Sequence, residues 1–76
     1  MSAFKYEVIK KYGVISEKNG YSKELRKVAF GDNAPKYDLR TWNIGEDGNE
    51  RMGKGVTLTR SELETLSKII NTILGE

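Results

Sequence analysis

The chain has 76 residues, 37% hydrophobic and 32% charged, enough for one small domain (residues 1–76) with one core and the balance of a folded, soluble protein. It has neither Cys nor His, which excludes disulfides, Cys or His zinc sites, thiol nucleophiles and imidazole bases. Its 13 Lys and Arg against 11 Asp and Glu give +2, but seven cations against three anions fall before Gly31, so the first two-fifths is basic. That asymmetry is a pattern expected of a polyanion binder, and it is equally that of solvated strand faces rich in lysine.

Residues 4–16 are rich in Phe, Tyr, Val and Ile, and Phe4, Tyr6 and Val8 alternate with Lys5 and Glu7, which predicts a strand. The alternation slips between Ile9 and Tyr12 and Gly13 follows, the mark of a bulge or a bend. Asn19-Gly20 is the strongest hairpin signal, because both central residues of that turn need positive φ. Residues 23–30 then form the returning strand.

Gly31-Asp32-Asn33-Ala34-Pro35 closes it, and residues 36–43 form a third strand, making an antiparallel meander. Residues 44–53, with three Gly and four charges, read as a flexible excursion before a short fourth strand at 55–58. Thr59-Arg60-Ser61-Glu62 fits a capping box, so a helix starts at about Arg60. Leu63, Leu66, Ile70, Ile73 and Leu74 make one apolar stripe, widened by Ile69, and Gly75 ends it. The expected fold is α+β: four antiparallel strands followed by one C-terminal helix.

A core this small rarely suffices below about 70–80 residues, so a second copy is expected to cover the stripe. The apolar runs are far too short to cross a bilayer and residues 1–11 lack a signal-peptide apolar segment, so a cytoplasmic protein is expected.

Strand alternation puts Tyr37, Leu39 and Thr41 on one face of the third strand and Lys36, Asp38, Arg40 and Trp42 on the other. With Leu39 as the core residue, Lys36, Arg40 and Trp42 are expected on an exposed surface that Lys23 and Lys27 extend. Cations flanking an indole suit single-stranded nucleic acid, where phosphates need charge and bases need a ring to stack on. The competing reading is that Trp42 covers the core edge and Asp38 pairs with Arg40 or with a neighbour across the strands. Lys54, between Gly53 and Gly55, stands where bare backbone permits a phosphate to approach, though it is not in a Walker loop. Glu46, Asp47 and Glu50 cluster without a calcium-loop spacing, a poor basis for a metal nuclease, and no cofactor is implied.

The stretch from Pro35 to Trp42, the ten-residue excursion, Met52-Gly53-Lys54-Gly55-Val56-Thr57-Leu58 and the capped helix resemble the transcriptional coactivator family known as positive cofactor four, and within it the small bacterial YdbC-like branch. The resemblance covers residues 23–74. It implies a curved four-stranded sheet and a helix, paired through the helices into a homodimer whose sheets form a groove for single-stranded DNA with little sequence preference. It carries Arg40 and Trp42 over to the family's basic and aromatic positions and Lys54 to its lysine at the entry to the fourth strand. Thr41-Trp42 stand where eukaryotic members have two adjacent aromatics, and the Ser-rich and acidic regulatory tail is missing. The expected nucleic-acid contacts are thus Lys23, Lys27, Lys36, Arg40, Trp42 and Lys54, with Leu66, Ile70 and Ile73 at the dimer interface. A non-enzymatic single-stranded DNA-binding protein of transcription, replication or repair is the leading reading. RNA binding, double-stranded DNA binding and a protein-interaction module that ignores nucleic acid are the alternatives.

Overall fold

The computed structural model describes residues 5–76, so the expected strand start at Phe4 lies outside the described residues. Four strands, β1 (Tyr6–Lys18), β2 (Tyr21–Phe30), β3 (Lys36–Ile44) and β4 (Glu50–Leu58), form one curved antiparallel sheet in the order β1-β2-β3-β4, and α1 (Arg60–Leu74) follows. The meander and the C-terminal helix are as the sequence predicts.

β1 and β2 meet at Asn19-Gly20, whose φ values of 53° and 81° are the left-handed pair that a two-residue turn demands. The slip in β1 does not break the strand. Register shifts between Val8 and Lys10, Lys11 and Gly13, and Val14 and Ser16 leave Ile9, Tyr12 and Ile15 as extra residues, and Gly13 stays paired with Leu25. Each bulge adds twist, which curls β1 along the sheet.

Half of the expected excursion over 44–53 is ordered strand. β4 begins at Glu50, and only residues 45–49 form the loop, closed by Gly45 N–H to Asn49 O at 2.8 Å. Trp42 pairs with Met52 after a register shift that leaves Thr41 out of step with β4. Glycine makes this possible: a Cβ at Gly53 would collide with the Thr41 hydroxyl, and one at Gly55 with the Arg40 Cβ. The bare backbone on either side of Lys54 is what lets β3 pack this closely.

The capping box forms as expected: Glu62 N–H donates to the Thr59 hydroxyl at 3.1 Å, and Thr59 N–H donates to the Glu62 carboxylate at 2.8 Å. No residue of α1 is buried. The helix touches the sheet only at β3 and β4, leaving Ile69, Ile70, Ile73 and Leu74 in solvent.

Candidate nucleic-acid interface

The β2–β3 register decides which side chains share a face. Glu24 pairs with Arg40, Arg26 with Asp38 and Ser22 with Trp42, while Lys23 pairs with Thr41 and Lys27 with Tyr37. Residues directly opposite each other point the same way. One face therefore carries Glu24, Arg26, Val28 and Phe30 beside Asp38, Arg40 and Trp42; we call it the network face. The other carries Lys23, Leu25 and Lys27 beside Tyr37, Leu39 and Thr41, and α1 lies on that side; we call it the helix face.

This corrects the expected grouping. Lys23 and Lys27 are on the opposite face from Lys36, Arg40 and Trp42. Trp42 is not exposed either: it is 2% accessible, with the Arg26 guanidinium 3.9 Å from its ring centroid and the Tyr6 ring at 5.8 Å. Asp38 is wholly buried and takes Arg40 Nε at 2.6 and 2.8 Å, which is the competing pairing considered from the sequence. Leu39, expected as core, is only half-buried.

Charged residues can close a face when every charge has a partner, because pairing offsets their desolvation. Arg26 donates through Nε to Glu24 at 2.8 Å and through Nη1 and Nη2 to Glu50 at 3.0 and 2.6 Å. Glu24 also accepts from the Ser22 hydroxyl at 2.6 Å and lies 3.5 Å from the Lys11 ammonium. Burial pushes the Glu24 carboxyl up, but the hydrogen bonds from Ser22 and Arg26 and the charges of Arg26 and Lys11 outweigh it, so its pKa lies below the ordinary value. The hydrogen bond from Arg26 likewise lowers Glu50 against the effect of burial, and the bond to Glu50 is the main cause that raises Arg26.

Two open troughs bring the expected cations together in two groups. On the network face, Lys36 and Arg40 line a trough of about 510 Å³ with Phe30, Asn33, Met52 and Thr57, and the Arg40 guanidinium lies 5.4 Å from the Phe30 ring. On the helix face, Lys23 and Lys54 line a smaller one of about 260 Å³ with Thr41 and Val56. Arg40 borders both, and its Nη1 donates to Gly53 O at 3.2 Å across β4. Lys27 stands over the Tyr37 ring at 5.6 Å, and its cross-strand neighbour Lys10 over Tyr12 at 5.2 Å.

Sequence reasoning missed Phe30, Met52, Lys10 and Arg26. Phe30 was legible in principle, since it continues the two-residue period of Glu24, Arg26 and Val28 to the strand end. Arg26 was not, because its role depends on Glu50, which is remote in sequence. The carboxylates Glu46, Asp47 and Glu50 do not converge: Glu50 binds Arg26, Asp47 caps the turn at Asn49, and no three potential ligands gather among the described residues. No helix among the described residues is long and apolar enough to cross a membrane.

A protein of Treponema pallidum (strain Nichols), described only as uncharacterized, is 39% identical over 71 residues, covering 92% of this chain and 80% of its own. The family profile of Transcriptional Coactivator p15 (PC4) matches residues 18–69, a span that takes in β2, β3, β4, the capping box and most of α1. The match thus spans the β2–β4 part of the meander, the Gly53-Lys54-Gly55 stretch within β4 and the capping box, and the chain is a member of the Transcriptional Coactivator p15 (PC4) family.

Proposed function

We propose that the protein is a non-enzymatic, sequence-tolerant single-stranded DNA-binding protein that works as a homodimer in the cytoplasm, at the nucleoid, in transcription, replication or repair. The observation that carries this reading is the network-face trough, which Lys36, Arg40 and Phe30 line together. Cations beside an aromatic face serve both parts of a nucleotide: the charges follow phosphates and the ring stacks a base of any identity. Asp38 fixes Arg40 in place and balances its charge, so Arg40 offers oriented N–H donors while the exposed Lys36 supplies the net positive charge.

Lys23, Lys54 and Lys27 extend the positive field around the β4 edge onto the helix face. Trp42 meets a base only where Tyr6 or Arg26 lifts off its ring, and as the only indole it reports that event through its own emission. The dimer reading is supported by the apolar groove of about 600 Å³ between sheet and helix, where Leu39, Leu66 and Ile70 are among the lining residues, and by the exposed Ile73 beyond it.

Gel shifts with oligo-dT, duplex DNA and RNA test the reading. The single strand should bind best, with affinity falling as salt rises. Lys36→Ala and Lys54→Ala should each flatten the salt slope by about 0.7, one phosphate's share. Phe30→Ala should cost about 1–3 kcal/mol of binding at an unchanged slope, since stacking releases no counterion. Affinity indifferent to salt would remove the basis of the assignment.

A further inference from the structure

Near the β1–β2 turn, a pocket of about 420 Å³ opens on the network face, lined among others by Lys11, Ser22, Glu24, Trp42, Asn43 and Glu50. Arg26 lies behind it, held by Glu24 and Glu50 and stacked on Trp42. We propose that this pocket is a gated phosphodiester site: the Arg26 fork is shaped to hold a backbone phosphate of a single strand, and Glu50 fills that fork until the strand displaces it. The proposal rests on the nucleic-acid reading above and adds a second contact region at the other end of the same face.

Three features support the exchange. First, Nη1 and Nη2 grip the two oxygens of Glu50 side by side, the bidentate arrangement that a phosphate reproduces with two of its oxygens. Second, the guanidinium stays in place when Glu50 leaves, because Nε remains bonded to Glu24 and the plane remains against Trp42. Third, the two carboxylates differ in freedom. The Glu24 side chain is 5% exposed and tied to Ser22, Arg26 and Lys11, whereas that of Glu50 is 42% exposed and follows directly on the 45–49 loop, so it swings into water without disturbing the sheet.

At the Arg26 fork itself the exchange is neutral. Arg26 and Lys11 balance Glu24 and Glu50, and a phosphodiester carries the same single charge as the carboxylate it replaces. The displaced Glu50 regains full hydration. Trp42 adds a separate observation: it lines the pocket, and its buried Nε1–H has no acceptor among the described residues, a donor that a nucleotide oxygen can satisfy.

Glu50 is then a tethered competitor, and weakening its grip should strengthen binding. Glu50→Gln, which keeps shape but loses charge, should bind oligo-dT on the order of tenfold more tightly, the factor by which a mostly closed site is discounted. Its salt slope should steepen by about 0.7, because in the parent the freed Glu50 carboxylate takes up a cation as the bound phosphate releases one. Glu46→Gln, which removes a charge from the same loop, controls for the general field and should change affinity less than about twofold. Arg26→Lys keeps the charge and loses the fork, so Glu50→Gln in that background should bring no gain, with thermal melts confirming that each variant is folded. Equal affinities for Glu50→Gln and Glu46→Gln while the parent binds in a salt-dependent manner would overturn the gate and leave the nucleic-acid reading standing. A gain that persists with Lys at 26 would also overturn it. No oligo-dT binding by parent or variants at low salt would sink both.

Discussion

The two faces of the sheet are finished in different ways. The network face is closed by the chain itself: Val28, Trp42, Asp38, Glu24 and Arg26 are all buried there, though three of the five carry charge. The helix face has the more apolar set, with Tyr12, Ile15, Leu25, Tyr37, Leu39 and Leu58, yet none of these is fully buried and the helix beside them has no buried residue. Hydrophobicity alone therefore does not say which side of a small sheet is its interior. Pairing geometry closed the polar side, while the apolar side stays open within the chain.

The largest expected effect breaks the comparison at its open side. In a lone chain Ile70 is 42% exposed, so Ile70→Asp would cost little. If a second copy covers the helix, the same change buries an unpaired charge and should abolish the dimer, seen as a change of mass in sedimentation and a sharp loss of melting temperature. The parent's melting temperature should also fall on dilution. A compact parent monomer at micromolar concentration, unmoved by Ile70→Asp, would show that the open side stays open.

Next in size is Trp42→Ala on the closed side. It removes the ring between Arg26 and Tyr6 and should cost about 3–5 kcal/mol in a denaturant melt, independent of protein concentration beyond the parent's own dependence. A mutant as stable as the parent would mean that the ring contributes little to closure. Trp42→Phe should recover much of the loss, since the cation still finds an aromatic face.

The smallest and most graded test is acid. Glu24 and Glu50 both titrate below their ordinary values when folded, so each stabilises the fold above its unfolded pKa, and that contribution is lost as pH falls through the depressed folded value. Stability should be flat around neutrality and decline below about pH 4.3, the unfolded carboxylate range. Glu50→Gln should shrink the decline more than Glu46→Gln does, since Glu50 is held by Arg26. An identical acid profile in both variants would detach Glu50 from the closure of the network face.

Much of this was legible in the sequence. Asn19-Gly20, the Thr59 capping box and the apolar stripe of α1 are local signals, decided within a few residues, and each formed where it was read. The length of β4 was not, because Glu50, Arg51 and Met52 pair with β3 beyond a register shift that no local pattern announces. The site was divided in the same way. Lys36 and Arg40 share a face by simple alternation, but placing Lys23 and Lys27 required the register against β3, and a one-residue difference puts them on the other side. Trp42 was read as exposed because its neighbours along the strand are charged; that those charges are paired and buried is a property of contacts between strands.

The three bulges of β1 bear on how the sheet avoids open-ended, edge-to-edge growth in a crowded cell. β1 is an edge strand of 13 residues carrying exposed Ile9, Val14 and Ile15, the sort of segment that recruits a neighbouring chain into a growing sheet. A recruit needs an unbroken run of backbone donors and acceptors at a constant spacing. With an extra residue in every third position from Ile9 to Ile15, and Lys10 and Lys11 set among them, the free rim of β1 never presents such a run. The curl that shapes the sheet also keeps the strand from serving as a seed for fibrils.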